Sequence, residues 1–311
     1  MTQNKKILIL GVTASGKGKL AFELAKKLGG EIISADSMKV YKRMDIGTAK
    51  PPIEIRRQIP WYLVDVAEPW EAFSVAKFVE LAEKRIEQIH SANKPVIVVG
   101  GTALYIKALL YGLFEGPGSD KKIRNQLKQR LQSESLETLH NELASVDPET
   151  AQRVHPNDAK RVIRGLEVYR LTGKPISHFQ QQWNKNKTTG WKIIGLRREK
   201  SVENHRINIR VKRMMNEGLI DEVKALLSEP KPLSKQASSA IGYAEVIDYL
   251  EGKRELEETV EKMKINTRRL AKHQRTWFKR FTSVNWIDIY EETSKEDILK
   301  QTLEILDLRK S

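Results

Sequence analysis

The sequence predicts an α/β protein in which a parallel sheet flanked by helices is interrupted by an all-helical insertion. Three observations predict this class. Short apolar runs alternate with amphipathic helical patterns, a glycine-rich turn joins the first run to the first helix, and two turn-rich breaks enclose a stretch that is helical throughout. With 311 residues, the chain can form one large or two ordinary hydrophobic cores.

The N-terminal part of the chain reads as a β-loop-α-β unit. The apolar runs "KKILIL" and "GGEIISADS" enclose an amphipathic helix from Lys17 to Leu28. A helix around Ser74 to His90 follows, and "KPVIVVGGT" supplies a third buried strand that ends in glycines. Because ligands of parallel sheets bind at the carboxyl ends of the strands, we expect the functional site at that edge.

Two breaks delimit the predicted insertion. "GLFEGPGSD" and "NKNKTTG" are rich in turn-forming residues, and we interpret them as hinges. The predicted domains are therefore a core of residues 1–118 and 191–311 and a helical insertion of residues 119–190. After the second break, "WKIIGL" predicts a strand that returns to the sheet, and "SVNWIDI" predicts one more.

Composition limits the compartment and the partners. The chain carries 55 Lys and Arg against 40 Asp and Glu, a net charge of +15 that favours polyanionic partners such as nucleic acid. The sequence has no cysteine, which excludes disulfides, thiolate catalysis and cysteine-ligated zinc. No apolar run approaches the roughly 20 residues of a membrane span. We expect a cytoplasmic protein without a membrane partner.

The first turn matches the phosphate-binding pattern G-x-x-x-x-G-K-[ST] in every position except the last. Backbone N–H groups of such a loop, with the positive end of the following helix, bind an anion. Gly18 replaces the hydroxyl that usually binds magnesium. A metal would therefore need Thr13, Ser15 or Ser37, or phosphate and water alone. The predicted binding residues are Gly11, Val12, Thr13, Ala14, Ser15, Gly16, Lys17 and Gly18.

Asp36 follows the second predicted strand and lies beside the phosphate loop in this topology. A carboxylate at that position could hold a metal-bound water or accept a proton from a nucleophile. It could equally cap a turn.

The motifs together resemble one family, the tRNA dimethylallyltransferases. The resemblance rests on the phosphate loop and on "ISADSMKVYKRMDIGTAKP", "VGGTALYIKALLYGL", "RVHPNDAKRVIRGLEVYRLTGKP" and "LAKHQRTWFKR". It implies a P-loop core with a helical insertion. It also implies transfer of a dimethylallyl group from its diphosphate to the N6 amine of the adenosine 3′ to the anticodon. Gly18, Lys39, Trp61, Tyr62 and Ala103 depart from the family pattern.

The resemblance also implies roles for individual residues. Asp36 accepts the proton of the amine, Lys17 and the loop bind the diphosphate with Mg²⁺, and Arg210 contacts the diphosphate while Arg206 supports it. The chain resembles the bacterial form of the family, because the absence of cysteine excludes the C-terminal zinc finger that eukaryotic members often carry. We expect a monomer. The residues assigned to the anticodon stem-loop are Asp36, Ser37, Met38, Lys39, Thr102, Arg124, Lys160, Arg161, Val162, Ile163 and Arg164.

Near the C-terminus, helical spacing predicts two opposite stripes on one helix. The basic stripe, which we expect to face tRNA, comprises Lys264, Arg268, Lys272, Arg275 and Lys279. The apolar stripe, which we expect to face the core, comprises Met263, Leu270, Trp277 and Phe281.

Two other functions stay open at this point. A small-molecule P-loop kinase would place ATP in the loop and use Asp36 to deprotonate a hydroxyl. A catalytically weakened relative would still bind the anticodon arm of tRNA, with Gly18 as the cause of its low activity.

Overall fold

The computed structural model describes residues 5–114, 116–184, 190–281 and 283–307. These residues divide into two compact units, Met1–Leu109 with Thr188–Ser311, and Leu110–Lys187. The first unit contains the phosphate loop. Most of the second turn-rich break, residues 185–189, lies outside the described residues.

The first unit is built on one parallel sheet. Its strands are β1 (Lys6–Gly11), β2 (Glu31–Ala35), β3 (Trp61–Tyr62), β4 (Val96–Gly100), β5 (Trp191–Arg197) and β6 (Val284–Asp288). They pair in the order β3-β2-β4-β1-β5-β6. This arrangement confirms the predicted α/β class.

Helices connect the strands and cover the sheet. Their bounds in this unit are α1 (Lys17–Leu28), α2 (Ile53–Gln58), α3 (Val75–Ser91), α4 (Ala103–Tyr111, which runs into the second unit), α9 (Lys200–Asn216), α10 (Leu219–Leu227), α11 (Lys235–Ser238), α12 (Tyr243–Leu250), α13 (Leu256–Phe278) and α14 (Lys295–Ile305). Helices α1 and α14 bury apolar side chains on the sheet face that presents Ile7 and Ile9. Helix α3 contacts β2 and β4, and α13 contacts β1.

Apolar runs form the central strands because β1, β2 and β4 are buried almost throughout. Close approach at their carboxyl ends requires glycine. A Cβ on Gly100 would lie 2.1 Å from the carbonyl oxygen of Ala35, so β2 and β4 could not pair in this register with a larger residue there. The edge formed by these strand ends carries the loops of the candidate site.

The second unit is helical, with α5 (Lys121–Ser133), α6 (Leu136–Val146), α7 (Pro148–Arg153), α8 (Ala159–Thr172) and a 3₁₀ segment (Ile176–Asn184). Side chains of Asp120, Ser135, Asp147 and Asp158 cap the four α-helices by accepting backbone N–H groups. The core of the unit contains Leu127, Leu139, Leu143, Val162, Ile163 and Leu166. None of the helices in the described ranges is both long and apolar enough to cross a membrane.

Candidate active site

The loop between β1 and α1 has the backbone of an anion-binding turn. Ala14 and Gly16 both have positive φ angles, 62° and 100°, and Gly16 caps α1. The first N–H groups of a helix have no partner within the helix, so those at the start of α1 are available to an anion. The loop therefore provides the donors that its sequence predicts.

Three arginines bind the outside of this loop. Arg206 Nε donates to the carbonyl of Ala14 at 2.9 Å, and Arg198 Nε donates to that of Ser15 at 3.2 Å. Arg210 Nη1 lies 3.3 Å from the hydroxyl of Thr13. Arg206 and Arg210 are one helical turn apart on α9 and both reach the loop, as their spacing predicts, whereas Arg198 was not identified from the sequence.

Lys17 is partly buried within the same loop. Its Nζ donates to the carbonyl oxygen of Val12 at 3.1 Å. Burial, together with the charge of Lys39, lowers the pKa of Lys17 to about 7, while Asp36 acts in the opposite direction. An ammonium with this pKa gains stability when an anion binds beside it.

Asp36 follows β2 and forms a tight turn. Its Oδ1 accepts the N–H groups of Met38 at 2.9 Å and of Lys39 at 3.3 Å. This is the turn-capping role that the sequence leaves open, but it uses only one carboxylate oxygen. Among the described residues, no cation forms an ion pair with Asp36, so its second oxygen can serve another purpose.

The charges at this edge form one cluster. The charge of Lys39 interacts with those of Asp36 and Arg210, and burial is the largest cause of its lowered pKa. Burial also lowers the pKa of Arg210, with Asp36 opposing that change. Three cations, counting Lys17, therefore share the site with one carboxylate, and this excess suits a ligand that carries two or more negative charges.

A buried glutamine that the sequence patterns did not reveal connects two loops of the site. Gln274 Oε1 accepts the N–H of Thr13 at 2.8 Å, and its Nε2 donates to the carbonyl of Gly101 at 2.9 Å. A Cβ on Gly101 would lie 2.4 Å from that Nε2, so a larger residue there would displace the Gln274 amide. The available signal was the position of Gln274 three residues after Ala271 and four before Phe278, which is core spacing.

Thr102 binds the turn that carries Asp36. Its Oγ1 accepts the N–H of Ser37 at 3.0 Å and lies 3.3 Å from the Ser37 hydroxyl. The backbone N–H of Thr102 donates to the carbonyl of Ala35 at 3.3 Å. Four predicted residues, Asp36, Ser37, Lys39 and Thr102, thus lie together at the carboxyl edge of the sheet.

A buried lysine stabilises the segment after Asp36. Lys50 Nζ donates to the carboxylates of Asp45 and Asp65, at 2.6 Å each, and to the carbonyl of Tyr41. All three protons of its ammonium therefore have acceptors. A buried charge with this many partners fixes the backbone around it.

Glu222 of α10 binds the same segment from the other side. Its carboxylate accepts the N–H groups of Asp45, Ile46 and Gly47, at 2.8 to 3.3 Å, and the hydroxyl of Tyr243 at 2.6 Å. Burial raises the pKa of Tyr243, and the adjacent Glu222 charge raises it further. Residues 36–50 are thus pre-organised by two charged side chains.

Gly18 leaves open space at the start of α1. A Cβ built on it meets no atom within 4 Å, and its φ is not in the left-handed region. Within the described part of the chain, no group of three or more His, Cys, Asp and Glu side chains could hold a metal ion.

The basic residues predicted for the insertion have two different environments. Arg124 and Arg164 both donate to Glu167, whose side chain is fully buried, at 2.7 and 2.8 Å. Although burial raises it, hydrogen bonds from Arg164 and Arg124 keep the pKa of Glu167 below its usual range. Lys160 and Arg161 are exposed, and Arg161 forms a solvent-exposed ion pair with Asp158 at 3.3 Å.

Val162 and Ile163 were included in the predicted tRNA contacts, but both side chains lie in the core of the second unit, 0% and 7% exposed. Both residues lie on the buried face of α8, whereas the exposed cations Lys160 and Arg161 lie on its other face. Side-chain contacts of these two residues are with protein.

The two stripes predicted for the last long helix are partly wrong. Lys264 is buried against Glu261, and Arg275 pairs with the buried carboxylate of Glu203, so neither belongs to a continuous exposed stripe. Leu270, predicted as core, is 38% exposed. Met263 and Phe281, also predicted as core, are buried, 1% and 6% exposed. The buried face of α13 further includes Ala271, Gln274 and Phe278, which the predicted apolar stripe did not contain.

Comparison with known proteins agrees with this arrangement. The model of the IPP transferase family matches residues 39–281. The chain belongs to the IPP transferase family. It is 44% identical to the tRNA dimethylallyltransferase of Geobacter metallireducens, covering 92% of this chain and 93% of that protein. It is 47% identical to that of Acetivibrio thermocellus, covering 94% and 95%.

Solved structures of the IPP transferase family share the fold. The tRNA isopentenylpyrophosphate transferase of Bacillus halodurans has a TM-score of 0.72 at 39% identity, covering 98% of this chain and 96% of that one. A eukaryotic dimethylallyltransferase described as acting on tRNA has a TM-score of 0.82 at 31% identity, covering 97% and 78%. This IPP transferase is therefore an enzyme of the prenyltransferase class and not a small-molecule kinase.

Proposed function

We propose that the chain transfers a dimethylallyl group from dimethylallyl diphosphate to the N6 amine of the adenosine 3′ to the anticodon of tRNA, and releases diphosphate. The single observation that carries the proposal is the charge cluster at the sheet edge. Lys17 lies in the loop, the charges of Lys39 and Arg210 act on it, and Asp36 is the carboxylate that acts on all three. The cations suit the leaving group and the carboxylate suits the proton of the amine.

The diphosphate accumulates negative charge as the allylic C–O bond breaks. The backbone N–H groups at the start of α1 and the Lys17 ammonium belong to the same loop, so they are placed to stabilise that charge. Arg206 and Arg198 bind carbonyls of the loop and keep it in shape. Arg210 reaches the same locus beside Thr13.

Asp36 acts on the other substrate. The N6 amine is a weak nucleophile because its lone pair is delocalised into the adenine ring, and it must lose a proton as the new N–C bond forms. The free oxygen of the Asp36 carboxylate accepts that proton. The electron pair of the broken C–O bond leaves with the diphosphate, so charge and atoms balance.

Mg²⁺ is the expected cofactor, and the residues present fit it as an ion held largely by the diphosphate and water. Of the chain's own groups near the loop, the hydroxyls of Thr13, Ser15 and Ser37 could each add one ligand, and that of Ser15 is buried without a hydrogen-bond partner, while Gly18 adds none. The ion, when bound, would neutralise charge on the departing diphosphate.

Contacts with tRNA divide between the two units. In the first unit, the residues that contact the reacting adenosine and its neighbours are Asp36, Ser37, Met38, Lys39 and Thr102. Lys160 and Arg161 are the exposed cations of α8 that bind RNA phosphates, and Arg124 and Arg164 shape the same helix through Glu167. We further propose that the enzyme works as a monomer in the cytoplasm, where unmodified tRNA is available.

Incubating purified protein with unmodified tRNA, dimethylallyl diphosphate and magnesium, followed by mass spectrometry of the nucleosides, tests the proposal. We expect dimethylallyl adenosine from the unmutated protein and none from Asp36→Asn, which keeps the shape of the turn but removes the base. Bound tRNA without product would instead identify a weakened relative. Thermal stabilisation by ATP but not by dimethylallyl diphosphate would identify a nucleotide site.

A further inference from the structure

Thr13 and Gln274 are joined across 261 sequence positions by a hydrogen bond in the middle of the site. Gln274 is buried, with 8% of its surface exposed, so its amide depends on protein partners. The partners also fix the orientation of that amide. A backbone N–H requires the oxygen on one side, and a backbone carbonyl requires the NH₂ on the other.

The bridge belongs to a longer series of contacts. From Thr13 it passes through Gln274 to Gly101, whose neighbour Thr102 binds Ser37 next to Asp36. One end of the series is the loop that binds the leaving group, and the other end is the turn that carries the base. The hydroxyl oxygen of Thr13 also accepts a hydrogen bond from Arg210 Nη1.

Transfer of an allylic group requires the diphosphate, the allylic carbon and the amine to be nearly in line. The reaction rate is therefore sensitive to the separation between the phosphate loop and Asp36, and a displacement of about 1 Å can cost about a hundredfold. The hydrogen bonds from Thr13 to Ser37 span that separation within one unit of the protein.

We propose that Gln274 is a positioning residue that fixes the phosphate loop relative to the Asp36 turn. This inference rests on the proposed function. Only a side chain with one donor and one acceptor at this position makes both bonds, which explains a polar residue on the buried face of α13. In this role Gln274 acts through Thr13 and Gly101, the two backbone partners of its amide.

Two substitutions separate positioning from packing. Gln274→Met has a similar volume but neither donor nor acceptor, so we expect kcat to fall by about tenfold to a hundredfold while KM for tRNA is unchanged. Gln274→Glu keeps the acceptor for Thr13 but needs a proton to donate to Gly101. Its kcat should therefore recover toward the wild-type value as the pH falls from about 8 to about 6, and that of Gln274→Met should not.

Asn266→Ala is the matched control, because Asn266 lies on the same helix and donates to Glu245 at 2.6 Å, away from the loop. We expect it to retain kcat. Three results would each overturn the inference. They are a wild-type kcat in Gln274→Met, a ratio of the Gln274→Glu kcat to the wild-type kcat that does not change with pH, and a decrease in kcat of Asn266→Ala equal to that of Gln274→Met. If Gln274→Met does not fold, the pH comparison with Gln274→Glu decides.

Hydrogen exchange at the Thr13 amide tests the bond without any reaction. We expect protection in the wild type and faster exchange in Gln274→Met. Missing protection in the wild type would refute the bridge even if transfer occurs. Protection that disappears on substitution, with no product from the wild type, would leave the bridge intact and refute the proposed function.

Discussion

At the residue scale, the phosphate loop combines a lysine of unusual pKa with a glycine in place of a hydroxyl. Burial lowers the pKa of Lys17, and the like charges of Lys39 and Arg210 lower it further. Gly18 removes an oxygen from the helix start but leaves its N–H and the surrounding space. Both features affect how the site handles a charged ligand, and each can be tested separately.

Binding of inorganic pyrophosphate should be accompanied by proton uptake near pH 7.5. In the free protein the pKa of Lys17 is about 7, and a bound anion favours the ammonium and raises that pKa. The affinity for pyrophosphate is therefore highest below about pH 7, where Lys17 is protonated, and declines as the pH rises above that value. Calorimetry in buffers of different ionisation enthalpy measures the uptake. Lys17→Met should abolish it and the exposed Lys19→Met should not; an equal heat in all buffers for the wild type would contradict the assignment.

Gly18→Thr should lower the magnesium concentration that gives half of the maximal rate, because it restores a hydroxyl at a position where a side chain meets no obstacle. Gly18→Ala fills the same space without oxygen and should leave the magnesium dependence unchanged. Both substitutions should raise the free energy of unfolding by a few tenths of a kcal/mol, since glycine is a poor helix residue. A magnesium titration of initial rates distinguishes the two variants, and identical curves would show that no ligand is missing.

At the element scale, the segment from Asp36 to Lys50 has little regular secondary structure, yet it is tightly fixed. Lys50 donates to three acceptors and Glu222 accepts from four donors. These charged groups order the segment together with a short backbone bridge between Tyr41 and Ala67. A loop of this kind can present recognition groups in one conformation.

Glu222→Gln should lower the free energy of unfolding by about 1.5–3 kcal/mol, because an amide presents an NH₂ group to N–H donors that need an acceptor. Tyr243→Phe, which removes one neutral donor, should cost about 1 kcal/mol. Denaturant unfolding measures both, with the exposed neighbour Asp221→Asn as the control. Equal stability of Glu222→Gln and Asp221→Asn would show that the segment does not depend on this carboxylate.

Periodicity predicted most elements, and it failed where burial was decided by a polar contact. The central strands are continuous apolar runs, so β1, β2 and β4 could be found in the sequence. The two-residue strand β3 is too short to show a pattern. On α13 the apolar residues Leu270 and Trp277 suggested the core face, but Gln274 occupies it because two backbone groups on distant loops need its amide.

At the scale of the whole molecule, the net charge of +15 is distributed among side chains with different tasks. Some cations bind buried carboxylates, as Arg124 and Arg164 do, and others are exposed, as Lys160 and Arg161 are. Sequence alone could not separate these classes, because the partner carboxylate Glu167 lies within the same motif. Only the exposed cations, such as Lys160 and Arg161, can neutralise RNA phosphates and so release their counterions.

The double variant Lys160→Gln/Arg161→Gln should weaken tRNA binding and reduce the slope of log affinity against log salt by about 2, one unit for each RNA phosphate that is no longer neutralised. The double variant Lys26→Gln/Lys27→Gln removes the same charge from the exposed end of α1 and should leave the slope nearly unchanged. Filter binding over a salt series measures both slopes, and equal slopes in the two variants would place the RNA elsewhere.

The bond between Thr13 and Gln274 also has a consequence for synthesis of the protein on the ribosome. At about 5–20 residues per second, roughly 13 to 52 seconds separate translation of the two residues, so the phosphate loop emerges long before the amide that completes it. A nascent chain or a fragment that lacks α13 has the loop sequence without its finished geometry. Activity would therefore appear only in chains translated through α13. Prematurely terminated chains would contain the phosphate-loop sequence but would bind substrate less well than the full chain.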